Sequence, residues 1–243
     1  MQFTSERHLD DDVLEREFTL GEIPGILWTP ASAPAPAPLI LVGHPGGLRR
    51  MYPRLVARAR HSAAEGFASA TIELPGAGGR PRSAAAEQAR ADLRRALEAG
   101  EPVDDEIVDR LVLPLVDKAV PEWRSALDAL LALREIGGPV GYSGGVIAIG
   151  LRLAVVEPRI SAALLFAGSF VPRAMFEEAR QVTIPLQVLL QWDDDGNDRQ
   201  MALDLFDAFG SKEKTLHANM GGHTGVPQFE GDAGNRFFVR HLT

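Results

Sequence analysis

Residues 138–150 read GPVGYSGGVIAIG, a short apolar run interrupted by Gly141-Tyr142-Ser143-Gly144-Gly145 and then resumed. A continuous apolar run bounded by glycines is what a buried parallel strand looks like, and the residues beyond the glycines read as a helix reaching about Glu157, with Pro158 after it. The string matches G-x-S-x-G, the pattern that sets a serine on a sharp strand-to-helix turn. Such a turn forces strained backbone on Ser143 and excludes bulk two residues before and after it. In return it presents Oγ above the sheet edge, at the positive end of the following helix. The competing reading is a glycine-rich turn with no chemistry.

The flanking sequence favours the first reading through its order of elements. Residues 39–42 (LILV), 67–74 (FASATIEL), 160–166 (ISAALLF), 186–191 (LQVLLQ) and 212–217 (KEKTLH) read as strands. Helical periodicity fills the spaces between them: 54–65 closed by Gly66, 122–136 closed by Gly137-Gly138, 199–209 stopped by Gly210, and 228–242 at the end. Residues 15–29 alternate about Gly21-Glu22 and read as a hairpin. The pattern predicts an α/β fold, a mostly parallel central sheet with helices on both faces and a leading antiparallel hairpin. The Ala-Pro tract at 30–40 reads as a stiff surface connection within a single domain, 1–243. Alternation lapses from Ser83 to Lys118, where nine acidic and five basic residues accompany Val103, Ile107, Val108, Leu111 and Val112 at helical spacing. This stretch is expected to be a helical insertion at about 83–118, and it is the candidate lid.

Composition narrows the function classes. A chain of 243 residues, 45% hydrophobic and 24% charged, can bury a large core without metals or disulfides. Its formal net charge of −8 argues against nucleic acid or an anionic membrane as the main partner. The absence of cysteine excludes a thiolate zinc site and a cysteine nucleophile. The charged start, MQFTSERHLDDD, has no apolar core of a signal peptide, and no apolar run approaches the length of a membrane span, so a cytoplasmic location is expected. No cofactor or metal is expected. The aspartate run 193–195 has no His or Glu at ligand spacing and reads as a solvated turn. Oligomeric state, monomer or homodimer, stays open.

A serine hydroxyl needs a base, and the base needs a carboxylate to orient it. After Ser143 three histidines remain. His241 lies on the terminal helix, and His217 ends a strand, where a buried structural imidazole is common. His223, in ANMGGHTGV beside Gly221 and Gly222, sits on a loop beyond the last strand and is the candidate base. The acid is expected in QWDDDGND, residues 191–198, where Asp193, Asp194, Asp195 and Asp198 compete and Asp198 is also placed to cap the helix that begins at Arg199. An oxyanion hole takes one N–H from the residue after the nucleophile, Gly144, and one from the loop Gly43-His44-Pro45-Gly46-Gly47. Pro45 has no N–H. Gly46 is therefore the second candidate donor, with Gly47 behind it, and His44 is read as a structural residue of this loop.

From about Glu15 onward the chain resembles the α/β-hydrolase superfamily, and more narrowly the dienelactone-hydrolase-like serine hydrolases. The resemblance rests on VGHPGG, IELPGAGGR, GYSGG, LLQWDDDGND and MGGH. It implies an α/β-hydrolase fold and a Ser143–His223–Asp194 triad that cleaves an ester, thioester or lactone through an acyl-enzyme. Asp195 and Asp193 follow Asp194 in preference within the family's acid turn. Dienelactone hydrolases proper use a cysteine nucleophile, and Ser143 in its place favours general ester chemistry. Glu73, where the family often has Asp, is read as an anchor of the PGAGGR loop through Arg80 or a backbone amide. The partner implied is a small-molecule ester, thioester or lactone. Acyl transfer or cyclisation at the same site, and a non-catalytic ligand-binding member of the fold, are the alternatives.

Overall fold

The computed structural model describes residues 1–10, 12–32 and 36–243. Among them, nine strands form one sheet in the order β1-β2-β3-β5-β4-β6-β7-β8-β9. Strands β1 (Gln2–Leu9), β2 (Val13–Leu20) and β3 (Ile23–Pro30) run antiparallel, and β3 joins β5 (Ala68–Ile72) antiparallel. From β5 through β4 (Ala37–Gly43), β6 (Ile136–Gly144), β7 (Ile160–Phe166), β8 (Leu186–Gln191) and β9 (Lys214–Asn219) every pairing is parallel. This is the mostly parallel sheet with a leading hairpin that the sequence predicts. The core of the Ala-Pro tract, residues 33–35, lies outside the described residues.

Two apolar layers sandwich the sheet. On one face α1 (Leu48–Ala63) and α7 (Phe229–Leu242) cover Ile40, Val42, Ala162 and Leu164 through Leu55, Ala59, Phe238 and Leu242. On the other, α3 (Asp105–Leu131), α4 (Ile147–Val156), α5 (Met175–Ala179) and α6 (Arg199–Ala208) close over Leu39, Leu41, Tyr142 and Val188. Trp123 and Tyr142, both fully buried, meet edge to face there with ring centroids 6.1 Å apart. No helix among the described residues is long and apolar enough to cross a membrane.

Three elements differ from the sequence expectation. Strand β1 falls in what the sequence presents only as a charged start; it is an exposed edge strand paired with β2, so it has no buried face to impose an alternating pattern. The stretch 83–118 and the helix expected from Glu122 are not separate. Helix α2 (Ala84–Ala99), capped by Ser83 and ended by left-handed Gly100, is followed by α3, which runs unbroken from Asp105 through Pro114 and Pro121 to Leu131. An internal proline costs about 3 kcal/mol of helix propensity. Burial of Val108, Val112, Val116, Val120, Trp123, Leu127 and Leu130 along one stripe outweighs two of them. Helix α1 begins at Leu48 rather than at Arg54, because the buried Glu73 carboxylate accepts the Leu48 amide at 3.1 and 3.2 Å and supplies the cap that Gly47 cannot.

The far end of α4 is pinned by charge. Glu157, buried just past the helix, receives Arg159 Nε and Nη2 at 2.7 Å each and Arg124 Nε from α3 at 3.3 Å. The Arg159 hydrogen bonds, foremost, and the Arg124 contact hold the Glu157 carboxyl down to about 2. Because the folded-state value lies below the ordinary carboxylate value of 4.5, this stabilisation is present above pH 4.5 and is lost as the pH falls toward 2. Glu157→Gln is expected to lower unfolding free energy at neutral pH by about 2 kcal/mol. The gap from the unmodified protein should narrow as urea titrations are carried down through that window.

Candidate active site

The carboxyl ends of β4 and β6 meet in the middle of the sheet, with Val42 opposite Ser143 and Gly43 opposite Gly144. The two backbones approach so closely that side chains are excluded. A Cβ on Gly145 would stand 2.8 Å from Gly43 C, Gly43 Cα and His44 N. One on Gly43 would stand 2.9 Å from Gly144 O and 2.5 Å from the Tyr142 hydroxyl. Gly141, two residues before the serine, faces α7, where a Cβ would lie 2.7 Å from Phe238. Of the two glycines that sequence assigns to the steric demand of a turn, Gly145 meets backbone at the turn, whereas Gly141 is constrained by packing against α7.

The strain itself falls elsewhere. Ser143 stays within β6, in register with Val42 and Leu164, and the left-handed backbone belongs to Gly144 (φ 76°) and Gly145 (φ 75°). The turn therefore occupies two residues that lack a Cβ, where a positive φ carries no steric penalty. Helix α4 starts at Ile147, just beyond the glycines as the sequence suggests. Ser143 Oγ accepts a hydrogen bond from Arg58 Nη2 at 2.7 Å.

The acid turn and base loop are laced together at the next two strand ends. Trp192 N donates to Asn219 O at 2.7 Å, Asp193 N to Gly221 O at 3.3 Å, and the buried Gln191 Nε2 to Gly222 O at 3.2 Å. In this frame Asp194 is buried while Asp193 and Asp195 are exposed. Asp194 Oδ1 accepts the Gly196 amide at 3.1 Å, and Oδ2 lies 2.7 Å from His223 Nδ1. A carboxylate there requires Nδ1–H, which leaves Nε2 as the basic nitrogen. Phe166, at the end of β7, packs edge-on to the imidazole with centroids 5.5 Å apart. Asp198 caps α6 through Met201 N at 3.0 Å.

The structure thus brings His223 and Asp194 into direct contact. Ser143 is not hydrogen-bonded to His223 among the described residues. The other histidines have separate partners: His217 meets the buried Glu230 carboxylate at 2.8 Å rather than backbone, and His241 lies 3.5 Å from Glu213. His44 bonds Ile72 O through Nε2 at 2.9 Å, and burial pulls its pKa below the ordinary histidine value. It ties the Gly43–Gly47 loop to β5. Gly46, the candidate donor, lies in that loop beneath the Arg50 guanidinium, and a Cβ on Gly47 would come 3.2 Å from Gly78 N. Glu73, whose pKa is raised by burial, caps α1; Arg80 holds the Glu73 main-chain carbonyl at 2.9 Å and pairs with Glu122.

Arg58, Phe166 and Gln191 are the site neighbours that sequence reading passed over. For Arg58 a signal existed: it stands three residues after Leu55 and next to Ala59, on the mostly apolar stripe of α1. Among five arginines in residues 49–60, composition does not say which one turns inward.

No protein-family model matches the chain, and no curated protein matches it by sequence. Its fold does match solved structures. A PEG-bound cold-adapted esterase from an Arctic intertidal metagenomic library superposes with a TM-score of 0.79 at 27% identity, covering 100% of both chains. An acetyl xylan esterase from Paenibacillus sp. R4 gives 0.67 at 15% identity over 99% of this chain and 88% of its own. A protein described as a dienelactone hydrolase from Klebsiella pneumoniae gives 0.66 at 15% identity over 93% and 97%. The chain has the α/β-hydrolase fold, of the dienelactone-hydrolase-like kind.

The glycine contact makes a direct prediction. Gly145→Ala combines left-handed backbone with a Cβ 2.8 Å from the β4 backbone, and is expected to destabilise the protein by about 2–4 kcal/mol. Chemical denaturation checks this; a loss under about 0.5 kcal/mol, the range of an ordinary surface substitution, contradicts the observed approach.

Proposed function

We propose that the protein is a serine hydrolase of small-molecule carboxylic esters, thioesters or lactones, with Ser143 as nucleophile, His223 as general base and Asp194 as the orienting acid. The observation that carries the reading is the 2.7 Å contact between buried Asp194 and exposed His223, on a loop at the same sheet edge as the G-x-S-x-G turn. The esterases of the same fold support it, and the one sharing 27% identity matches the whole chain. Within this reading the chain is one α/β-hydrolase domain, acting without metal or cofactor in the cytoplasm, and the segment at about 83–118 is its lid.

In the mechanism, Ser143 Oγ attacks the acyl carbonyl while its proton passes to His223 Nε2. Asp194 keeps Nδ1 protonated and balances the imidazolium that forms. The tetrahedral oxyanion takes hydrogen bonds from the Gly46 and Gly144 amides, each such donor being worth about 3–4 kcal/mol of barrier. Collapse expels the alcohol or thiol, protonated by His223. Water, activated in the same way, then releases the acid. The Ser143–His223 hydrogen bond belongs to the substrate complex, since such bonds commonly tighten only when substrate is bound. The glycines on either side of His223, Gly221, Gly222 and Gly225, give its loop freedom to close.

One observation favours a second reading. Ser143 Oγ rests on Arg58 and not on His223, as it would in a non-catalytic ligand-binding member of the fold.

Kinetics of p-nitrophenyl ester turnover separate the two. Ser143→Ala and His223→Ala are each expected to lose about 10⁴-fold or more in kcat, and the double variant no more than either single one, because the residues act as a unit. Asp194→Asn should lose about 10⁴-fold by trapping the wrong tautomer. Unchanged turnover in Ser143→Ala refutes the assignment, and a fully inert unmodified protein favours the binding reading.

A further inference from the structure

Arg58 has no part in the scheme above, yet it touches the atom that scheme depends on. Its guanidinium donates to Ser143 Oγ at 2.7 Å, to Ser143 O at 2.8 Å and to Gly43 O at 3.2 Å. A Cβ on Gly144 would lie 2.9 Å from Nη2, so the group fills the space directly against the turn. Among the described residues no carboxylate pairs with it. A half-buried guanidinium without a counter-ion is costly to keep, and two backbone carbonyls do not require a full charge to satisfy them.

The third acceptor gives the charge a use. A hydroxyl can accept an N–H through a lone pair and still donate its own proton. Arg58 therefore leaves the Ser143 proton free to move to an imidazole. As it moves, negative charge grows on Oγ, and a fixed cation 2.7 Å away favours that charge far more than it favours the neutral hydroxyl. Burial lowers the Arg58 pKa only to about 10, so the cation persists at neutral pH.

We propose that Arg58 is a further catalytic residue, which fixes Ser143 Oγ and stabilises the negative charge it carries on the way to the acyl-enzyme. In the step concerned the Oγ–H bond breaks, the proton goes to His223 Nε2, and the Oγ electron pair forms the bond to the acyl carbon. The carbonyl π pair moves onto its oxygen. Arg58 exchanges no proton and changes no covalent bond. The inference rests on the ester-hydrolase reading of the same site.

The test compares the unmodified protein with Arg58→Lys, Arg58→Met and Arg58→Ala. Acylation is followed with p-nitrophenyl acetate, and labelling with a fluorophosphonate is mapped by mass spectrometry, with thermal melts alongside. Arg58→Met, of similar length and no charge, is expected to acylate and label about 10²-fold more slowly with KM little changed, the scale of losing one preorganised donor. Arg58→Lys should recover at least about tenfold of that loss, because charge matters more than the three-way fit. Millimolar methylguanidinium should restore acylation to Arg58→Ala, and equal urea should not. If Arg58→Met fails to fold, the lysine variant and the methylguanidinium rescue decide. Acylation by Arg58→Met at the unmodified rate overturns the inference, as do equal losses in the lysine and methionine variants with no rescue; Arg58 is then a structural tie between β4 and β6. A labelled Ser143 with indifferent Arg58 variants leaves the ester-hydrolase reading standing, whereas an unmodified protein that never labels at Ser143 removes both.

Discussion

The backbone contact between Gly43 and Gly145 is the constraint around which this molecule is arranged. Neither residue can carry a Cβ, since one on Gly145 would fall 2.8 Å from the β4 backbone. Close approach at that point lets the end of β4 and the end of β6 share one small space. The Arg58 guanidinium meets Ser143 Oγ and Gly43 O there, and the Gly46 loop follows β4 directly. A looser crossing would separate the candidate oxyanion donors from the candidate nucleophile. The two positive-φ glycines after Ser143 turn the chain away at once, and α4, anchored by Glu157 at its far end, holds that turn from behind.

A second constraint builds the other half of the site. The acid turn after β8 and the base loop after β9 are joined by main-chain hydrogen bonds before any side chain takes part. In that frame one of the four aspartates between residues 193 and 198 faces inward. Asp194 is buried against His223, while Asp193 and Asp195 face water and Asp198 caps α6. The His–carboxylate pair is thus fixed by backbone geometry, and the imidazole itself remains exposed on a glycine-flanked loop.

What was legible in the sequence follows from where each signal comes. Buried parallel strands such as β7 and β8 are continuous apolar runs, and both were located to the residue because burial on two faces leaves no other pattern. The edge strand β1 was missed for the opposite reason, since solvent on its exposed faces imposes no pattern at all. Helix α3 was split because prolines 114 and 121 argue locally against a helix that its buried stripe supports globally. The short list of Asp193, Asp194 and Asp195 could be drawn from the motif alone, but the choice within it needed the pairing of two loops. Arg58 was illegible because its importance lies in acceptors 15 residues before and 85 residues after it.

The central claim is that an acyl group passes through Ser143. Rapid quenching during turnover of a p-nitrophenyl ester, followed by intact-mass and peptide mass spectrometry, reads that directly. The account predicts a transient adduct equal in mass to the acyl group, on the peptide containing Ser143, that decays as product acid forms. Steady ester turnover with no adduct, or with the adduct on any other residue, would contradict it.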